Sequence, residues 1–499
     1  MTEHIRALIV ISILAIPSFI FFRQSIDGLI PSTSFYLRRN LWFCLTISAF
    51  LAGNFWIYTI IAGLLLTISA RKEANKIALF FFLLFALPVA ATRIPGLNLI
   101  NYIFELSHVR ILSLFVLLPT FFYLSRRNDT LTLFWTSADK ILAIYLLVNA
   151  ILYLRDTSLT DTFRQLFYLF IDIFLPYFVI SRSLKDLQAF RDAIHSFVLA
   201  VMLLASLAIF EFIKHWLLYY SLLGALNLEG TTGYLIREDF VRPIVTTGQP
   251  IVLGYLMAVG VGFYLYTQSL IQKKYIRQLG IFLLIAGLLA PLSRGPWVGA
   301  FILLIVFIAT GRFASRRLFI FSVATLFTFN LIALLPSGDR VINLLPYIGK
   351  TEKANIEFRE NLIENSLIVI QRNPWFGSAN YLENPEMEAL RQGSLGIIDV
   401  VNTYIGIALK TGVVGLMLFI GFFTLVIIGV FRAMQTLPNR DSEEYLLGRS
   451  LLATLIAILI IIGTVSSITI IPAVYWSVAG LGVAYVQLIR KQTRIDVHR

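Results

Sequence analysis

Asp399, Asn402, Thr403 and Lys410 interrupt the apolar run 397-IIDVVNTYIGIALKTGVVGLMLFIGFF-423. A carboxylate can accept a proton from a hydroxyl nucleophile, an amide or hydroxyl can orient a polar substrate, and an ammonium can offset negative charge. Positions 399, 402/403, 406 and 410 follow the helical period, so Asp399, Asn402, Thr403, Gly406 and Lys410 share one face. At the helical rise Lys410 sits ~16 Å along the axis from Asp399, too far for the two to pair. Ionisable groups are costly in lipid, so this face must meet other helices or a wet cavity. The plainer alternative makes Asn402 and Thr403 bonds between helices and gives Lys410 a structural acid as partner.

Arginines mark three further stretches. In 290-APLSRGPWVGAF-301, Ser293 and Arg294 precede Gly295-Pro296. Proline suits the first turn of a helix, which places Ser293 and Arg294 at a helix N-terminus, a favourable place for an anion. A guanidinium there matches a phosphate, and interfacial snorkelling is the alternative. In 237-REDFVRPIVTTGQPIVLGYLM-257, Arg237 and Arg242 precede Thr246, Thr247, Gly248, Gln249 and Pro250, where a span begins. Arginines over a polar helix mouth suit a lipid-linked or free phosphate, although flanking arginines also anchor helices. Arg359 lies in 357-EFRENLIENSLIVIQRNPWFGSANYL-382 beside Glu360, Glu364 and Arg372, which also reads as a solvated face. Trp375, Phe376 and Tyr381 follow, fit to rest at a lipid interface or to stack on sugar rings.

The elements that must position these groups are membrane helices. The chain has 499 residues, 58% of them hydrophobic and 14% charged, with mean hydropathy +0.81. A soluble domain cannot hide that much apolar surface, whereas each membrane crossing needs ~20 apolar residues. The fold class is therefore all-α, a polytopic integral membrane protein of 12–14 helices. Spans are expected near 5–22, 52–70, 77–92, 108–125, 140–154, 162–181, 193–216, 248–270, 279–292, 296–311, 318–335, 400–431, 450–466 and 471–489, with 30–50 ambiguous. The first run lacks a small-residue cleavage site and reads as a span. The net charge of +13 resides in seven Lys/Arg clusters between apolar runs. That pattern marks cytoplasmic loops, not a nucleic-acid partner, and puts both termini in the cytoplasm. Cys44, the single cysteine, cannot form an internal disulfide.

Residues 1–499 form one membrane domain with a smaller external loop at 217–247 and a large one at 336–398. Loops that long are functional or disordered. Within the second, Thr351 to Asn373 reads as a helix capped by Thr351, with an apolar stripe at Ile356, Ile363, Leu367 and Ile370. Asn373-Pro374 stops it. This helix is expected on or near the outer membrane surface. Neither internal repeats nor paired broken helices are evident. The sequence has no Walker-type loop, HExxH, Cys/His cluster or GxSxG, and none of its five histidines falls in the large loop. No cofactor and no metal are implied. The chemistry is expected at the external face, on a substrate that arrives energised.

The order of these features resembles the O-antigen ligase / Wzy-type polymerase superfamily of integral membrane glycan polymerases and ligases, which implies a GT-C-like architecture. The matching pieces are Arg242 to Pro250, Ser293-Arg294-Gly295, Arg359, Asn373 to Gly377, and Val401 to Leu416, across roughly residues 235–425. The resemblance implies inverting, metal-independent glycosyl transfer at the periplasmic face of the bacterial inner membrane. The donor would be an undecaprenyl-diphosphate-linked oligosaccharide and the acceptor a growing glycan, with membrane lipid and a chain-length regulator as partners. Arg237, Arg242, Arg294 and Arg359 would bind the donor diphosphate, supported by Gln249, Ser293, Thr403 and Lys410. Asp399, Asn402 and Tyr404 would be the catalytic groups. Ligases of the family carry a histidine before the Asn-x-Tyr triplet; Val401 stands there, which favours a polymerase of O-antigen or exopolysaccharide over a ligase acting on lipid A core or protein. The rival of another class is a lipid-linked saccharide flippase, which would line a central path with cations.

Overall fold

The computed structural model describes residues 2–25, 30–88, 91–96, 100–126, 136–228, 233–237, 239–334, 353–391, 398–468 and 470–497. Sixteen main helices follow in order: α1 Glu3–Ser25, α2 Ser32–Leu51, α3 Phe55–Lys72, α4 Lys76–Leu83, α5 His108–Arg126, α6 Ser137–Asp156, α7 Leu159–Ser183 and α8 Leu187–Lys214. Then come α9 Pro250–Thr267, α10 Lys274–Leu289, α11 Arg294–Ala309, α12 Ala314–Ala333, α13 Lys353–Arg372, α14 Thr403–Gln435, α15 Glu443–Ile462 and α16 Ile471–Val497. Two short antiparallel hairpins, Ala91–Pro95 with Tyr102–Ser107 and Ile236–Arg237 with Phe240–Val241, are the sheet among the described residues. The chain is an all-α polytopic membrane protein.

Local sequence explains where these helices begin. Asn54, Asn75, Ser158, Asp186 and Ser442 each accept a backbone N–H of the first turn, and Thr136 with Asp139 closes a capping box. Ten of the described helices are long and apolar enough to cross a membrane. They coincide with ten of the fourteen expected spans. The other four expected spans meet α4, α10, α11 and α12; the first three are shorter than those ten, and the helix in 77–92 ends at Leu83, ahead of a strand from Ala91.

One end of the bundle collects charge. Arg38 of α2 meets Glu73 at 3.0 Å and Asp192 of α8 at 2.6 Å, with all three buried. Arg191 of α8 pairs with Glu443 of α15, and Arg312 with Asp441. Burial pushes the Glu73 carboxyl up, but the hydrogen bonds and charge of Arg38 outweigh it and hold it below the usual carboxylate range. The opposite end carries the long loops: Thr246 donates to the Phe85 carbonyl, and Ala379 N–H to Asp156.

Two expectations change. The ambiguous stretch 30–50 is helix α2; Arg38, Arg39 and Asn40 interrupt its apolar run because Arg38 faces buried carboxylates, not lipid. That extra helix alters the parity of the bundle. Trp216, at the loop end of α8, donates to Glu3 at the start of α1, while Tyr485 of α16 reaches the Glu444 carbonyl at the charged end. The chain's two ends thus lie at opposite ends of the bundle, which does not fit two cytoplasmic termini.

Candidate active site

The external loop helix forms as α13, Lys353–Arg372, matching the expected 351–373; Thr351, its expected cap, lies outside the described residues, as do 335–352 and 392–397 of the large loop. Leu362 and Val369 are buried against Met387, Leu390 and Leu409, whereas Ile356, Ile363 and Leu367 are exposed.

The segment after α13 locks into α14. Gly412 has φ +65° and breaks that helix, freeing backbone groups on both sides. The Asn373–Gly377 stretch satisfies them: Val413 N–H donates to Pro374 O at 2.8 Å, Val414 N–H to Trp375 O at 3.2 Å, and Ser378 N–H to Leu409 O at 3.0 Å. Contact is tight enough that a Cβ on Gly377, itself at φ +56°, would lie 2.5 Å from Leu409 O. From α6, Arg155 donates to Gly377 O at 2.8 Å and Asp156 accepts Ala379 N–H at 2.8 Å. The break also gives Lys410 a local rationale. It closes the first half-helix, whose C-terminal dipole favours a cation, and its ammonium lies 4.7 Å from the Tyr153 ring centroid.

Asp399, Asn402, Thr403, Gly406 and Lys410 line one cavity of about 420 Å3. Asp399, in the non-helical segment before α14, accepts the Ser466 hydroxyl. Asn402 is the N-cap of α14, and its side-chain oxygen accepts Tyr404 and Ile405 N–H. Thr403 is tied by both N–H and hydroxyl to Val465 O. Tyr404 does not line the cavity; its hydroxyl donates to Leu459 O at 2.6 Å.

The opposite wall of the cavity escaped sequence reasoning. Tyr145, Asn149 and Tyr153 of α6 recur every fourth residue, a stripe that helical spacing makes legible. Asp172 of α7 contributes a carboxylate paired with Arg110 at 2.8 Å, and Arg110 also covers the Tyr168 ring at 3.8 Å. Residues 169–174 are a π-helical insert in α7, which turns Leu169, Asp172 and Ile173 toward the cavity. Tyr381, Ser467, Tyr475 and Trp476 complete an aromatic and polar lining suited to sugar rings and hydroxyls. Burial raises the Tyr381 hydroxyl above its ordinary range, keeping it a proton donor.

A second group lies beside this cavity and not in it. Arg242 donates from Nε to Pro291 O at 2.9 Å and from Nη2 to Ser293 Oγ at 2.9 Å, while Arg237 donates to Leu292 O. Ser293 occupies the N-cap position of α11, whose first residue is Arg294, and its hydroxyl donates to Pro291 O. Arg237, Arg242, Ser293 and Arg294 therefore meet on one four-residue stretch, as their positions at helix mouths suggested. Gln249 is the N-cap of α9, and α9 packs against the start of α11 at Gly254, where an added Cβ would sit 3.0 Å from Pro296.

Two features set the shape of this group. Leu292 and Val245 have φ of +49° and +46°, a region that a β-branched residue in particular rarely adopts. Glu211, fully buried in α8, accepts Ile244 and Val245 N–H at 3.0 and 2.9 Å and Leu218 N–H at 2.9 Å. One carboxylate thus satisfies the backbone of the strained loop that carries both arginines.

The turn between α15 and α16 joins the two groups. A Cβ on Gly295 would overlap the Thr464 hydroxyl, and Arg359 of α13 donates to Thr464 O at 3.4 Å. Val465 holds Thr403, and Ser466 holds Asp399. Three consecutive residues therefore touch the arginine side, the helix mouth and the carboxylate.

Residues 279–420, from within α10 to the first half of α14, match the family described as O-antigen ligase. Over that segment the chain is similar to the O-antigen ligase / Wzy-type superfamily. No curated protein matches it. The matched segment holds Ser293, Arg294, Arg359, Asp399, Asn402, Thr403, Tyr404 and Lys410, along with the Asn373–Gly377 stretch and the broken helix. Arg237, Arg242 and Gln249 lie N-terminal to it. That likeness supports glycan transfer of the O-antigen ligase or polymerase type in general.

Proposed function

We propose that the chain is a polymerase of lipid-linked oligosaccharide repeat units, acting by inverting, metal-independent glycosyl transfer from an undecaprenyl-diphosphate-linked donor. The observation that carries this reading is the turn 464–466, which bonds Arg359 and the Asp399 carboxylate and packs against Gly295, beside the 291–294 stretch that holds Arg237, Arg242 and Arg294. Arg237, Arg242, Arg294 and Arg359 would bind the diphosphate. Planar guanidiniums fit its oxygens, and fixed cations stabilise the charge that grows as the sugar–phosphate bond breaks.

In this scheme Asp399 accepts the acceptor's hydroxyl proton, with Ser466 orienting the carboxylate. The freed oxygen attacks the anomeric carbon on the face opposite the diphosphate, the C–O bond to phosphate breaks with its electron pair, and the configuration inverts. Asn402, Thr403 and Tyr404 act as positioning residues through their bonds at the mouth of α14, with Lys410 and Gln249 in support. The aromatic cavity takes the growing glycan. The loop end faces the periplasm and the charged end the cytoplasm of a bacterial inner membrane, where the basic clusters belong. A chain-length regulator would then meet the loop end.

Val401 favours polymerase over ligase, because the histidine implied for ligases at that position is replaced by a side chain that cannot take a proton. The description of the matched family favours the second reading, transfer of a finished glycan to lipid A core or to protein. Purified protein supplied with lipid-linked repeat units decides between them. A ladder of longer glycans supports the polymerase. A single block moved to lipid A core or protein supports the ligase. Donor crossing vesicles with no new glycosidic bond would indicate a flippase and overturn both.

A further inference from the structure

A second cavity, about 600 Å3, lies at the charged end of the bundle, where α6 begins and α14 and α16 end. Leu425, Val426 and Ile428 of α14 and Val483 and Val486 of α16 form its walls, and Leu425 and Ile428 remain 36% and 39% exposed. Arg432 and Arg490 stand at its rim, both exposed. Among the described residues neither guanidinium has a carboxylate or hydrogen-bond partner, unlike Arg38, Arg191 and Arg312 at the same end.

Two unpaired guanidiniums above one apolar trough repel each other unless an anion lies between them. A free inorganic anion satisfies the arginines and leaves the trough bare, whereas an acyl chain alone fills the trough and leaves the arginines bare. A zwitterionic lipid adds a cation where two already stand. We infer that the groove binds an anionic phospholipid, its phosphate held by Arg432 and Arg490 and an acyl chain lying between α14 and α16. Thr136 and Ser137 at the rim place hydroxyls beside a glycerol headgroup. At Gly429 an added Cβ would lie 3.4 Å from Val486, so a large side chain there closes the trough while keeping both arginines. The site is remote from the polar cavity, and the inference does not rest on the reaction proposed above.

Native mass spectrometry of the detergent-purified chain tests it, with phosphatidylglycerol and phosphatidylcholine of equal chain length as probes. Retention of phosphatidylglycerol should exceed that of phosphatidylcholine roughly tenfold or more, from two basic contacts. Arg432→Gln with Arg490→Gln should abolish the preference, and Gly429→Leu should lower phosphatidylglycerol retention with both arginines present. Thermal midpoints verify that the variants fold. Equal retention of the two lipids by the unmodified chain, a preference that survives the double substitution, or inorganic phosphate displacing phosphatidylglycerol at equal concentration would each overturn the proposal.

Discussion

Val413 donates its amide to Pro374 O, 2.8 Å across the break in α14, so the external loop completes a membrane helix that could not stand alone. An unsatisfied amide inside a membrane costs several kcal/mol, and the loop removes that cost only while seated. The loop helix α13, the cavity and the mouth of α14 are therefore one unit.

Gly377→Ala should break this unit. The new Cβ would lie 2.5 Å from Leu409 O on a backbone with φ +56°, and such strain costs about 1–3 kcal/mol. The expected result is a lower thermal midpoint with faster proteolysis within 353–391, at unchanged expression. A cleavage rate equal to that of the unmodified chain would contradict the interlock.

Glu211→Ala removes an acceptor shared by three backbone amides and leaves the strained Val245 unsupported. Because Arg242 sits three residues before Val245, the KM for donor should rise about tenfold or more, with a smaller change in kcat. Glu211→Gln keeps one acceptor oxygen and should recover part of the loss. A fall in kcat alone would argue against a positioning role.

Arg38→Ala strands two buried carboxylates, Glu73 and Asp192. Breaking a buried pair from one side costs roughly 3–5 kcal/mol, and here two acids lose their partner. Expression and thermal midpoint should fall sharply at neutral pH. Glu73 is held below the usual carboxylate range, so its contribution is present above the unfolded carboxyl range and fades as pH falls through the folded value. The difference between Arg38→Ala and the unmodified chain should accordingly narrow in acid.

Much of this arrangement was legible in the sequence. Thirteen of the fourteen expected spans are helical over most of their length and 77–92 only to Leu83, the 351–373 helix forms as 353–372, and Ser293-Arg294 does stand at a helix start. Apolar length and the Pro and Asn punctuation carry that information locally. What escaped depends on distant partners. Arg38 made α2 look unfit for a membrane because Glu73 and Asp192 are 35 and 154 residues away. Gly412 reads as an ordinary glycine in an apolar helix until Pro374 and Trp375 cover its break. The apolar stripe of α13 is legible by periodicity, which finds a face but not what it packs against: Ile370 meets the buried cluster, and Ile356, Ile363 and Leu367 are exposed. Ser466 gave no signal, since a serine in a turn acquires meaning only beside Asp399.

The most direct measurement separates donor binding from turnover, using purified protein and an undecaprenyl-diphosphate-linked repeat unit. Arg242→Ala with Arg294→Ala should abolish donor binding and the glycan ladder together. Asp399→Asn should bind donor as the unmodified chain does while losing about 10²–10⁴-fold in rate, as expected for a lost general base. Donor binding that persists without the two arginines, or a full ladder from Asp399→Asn, would contradict the assignment of this site.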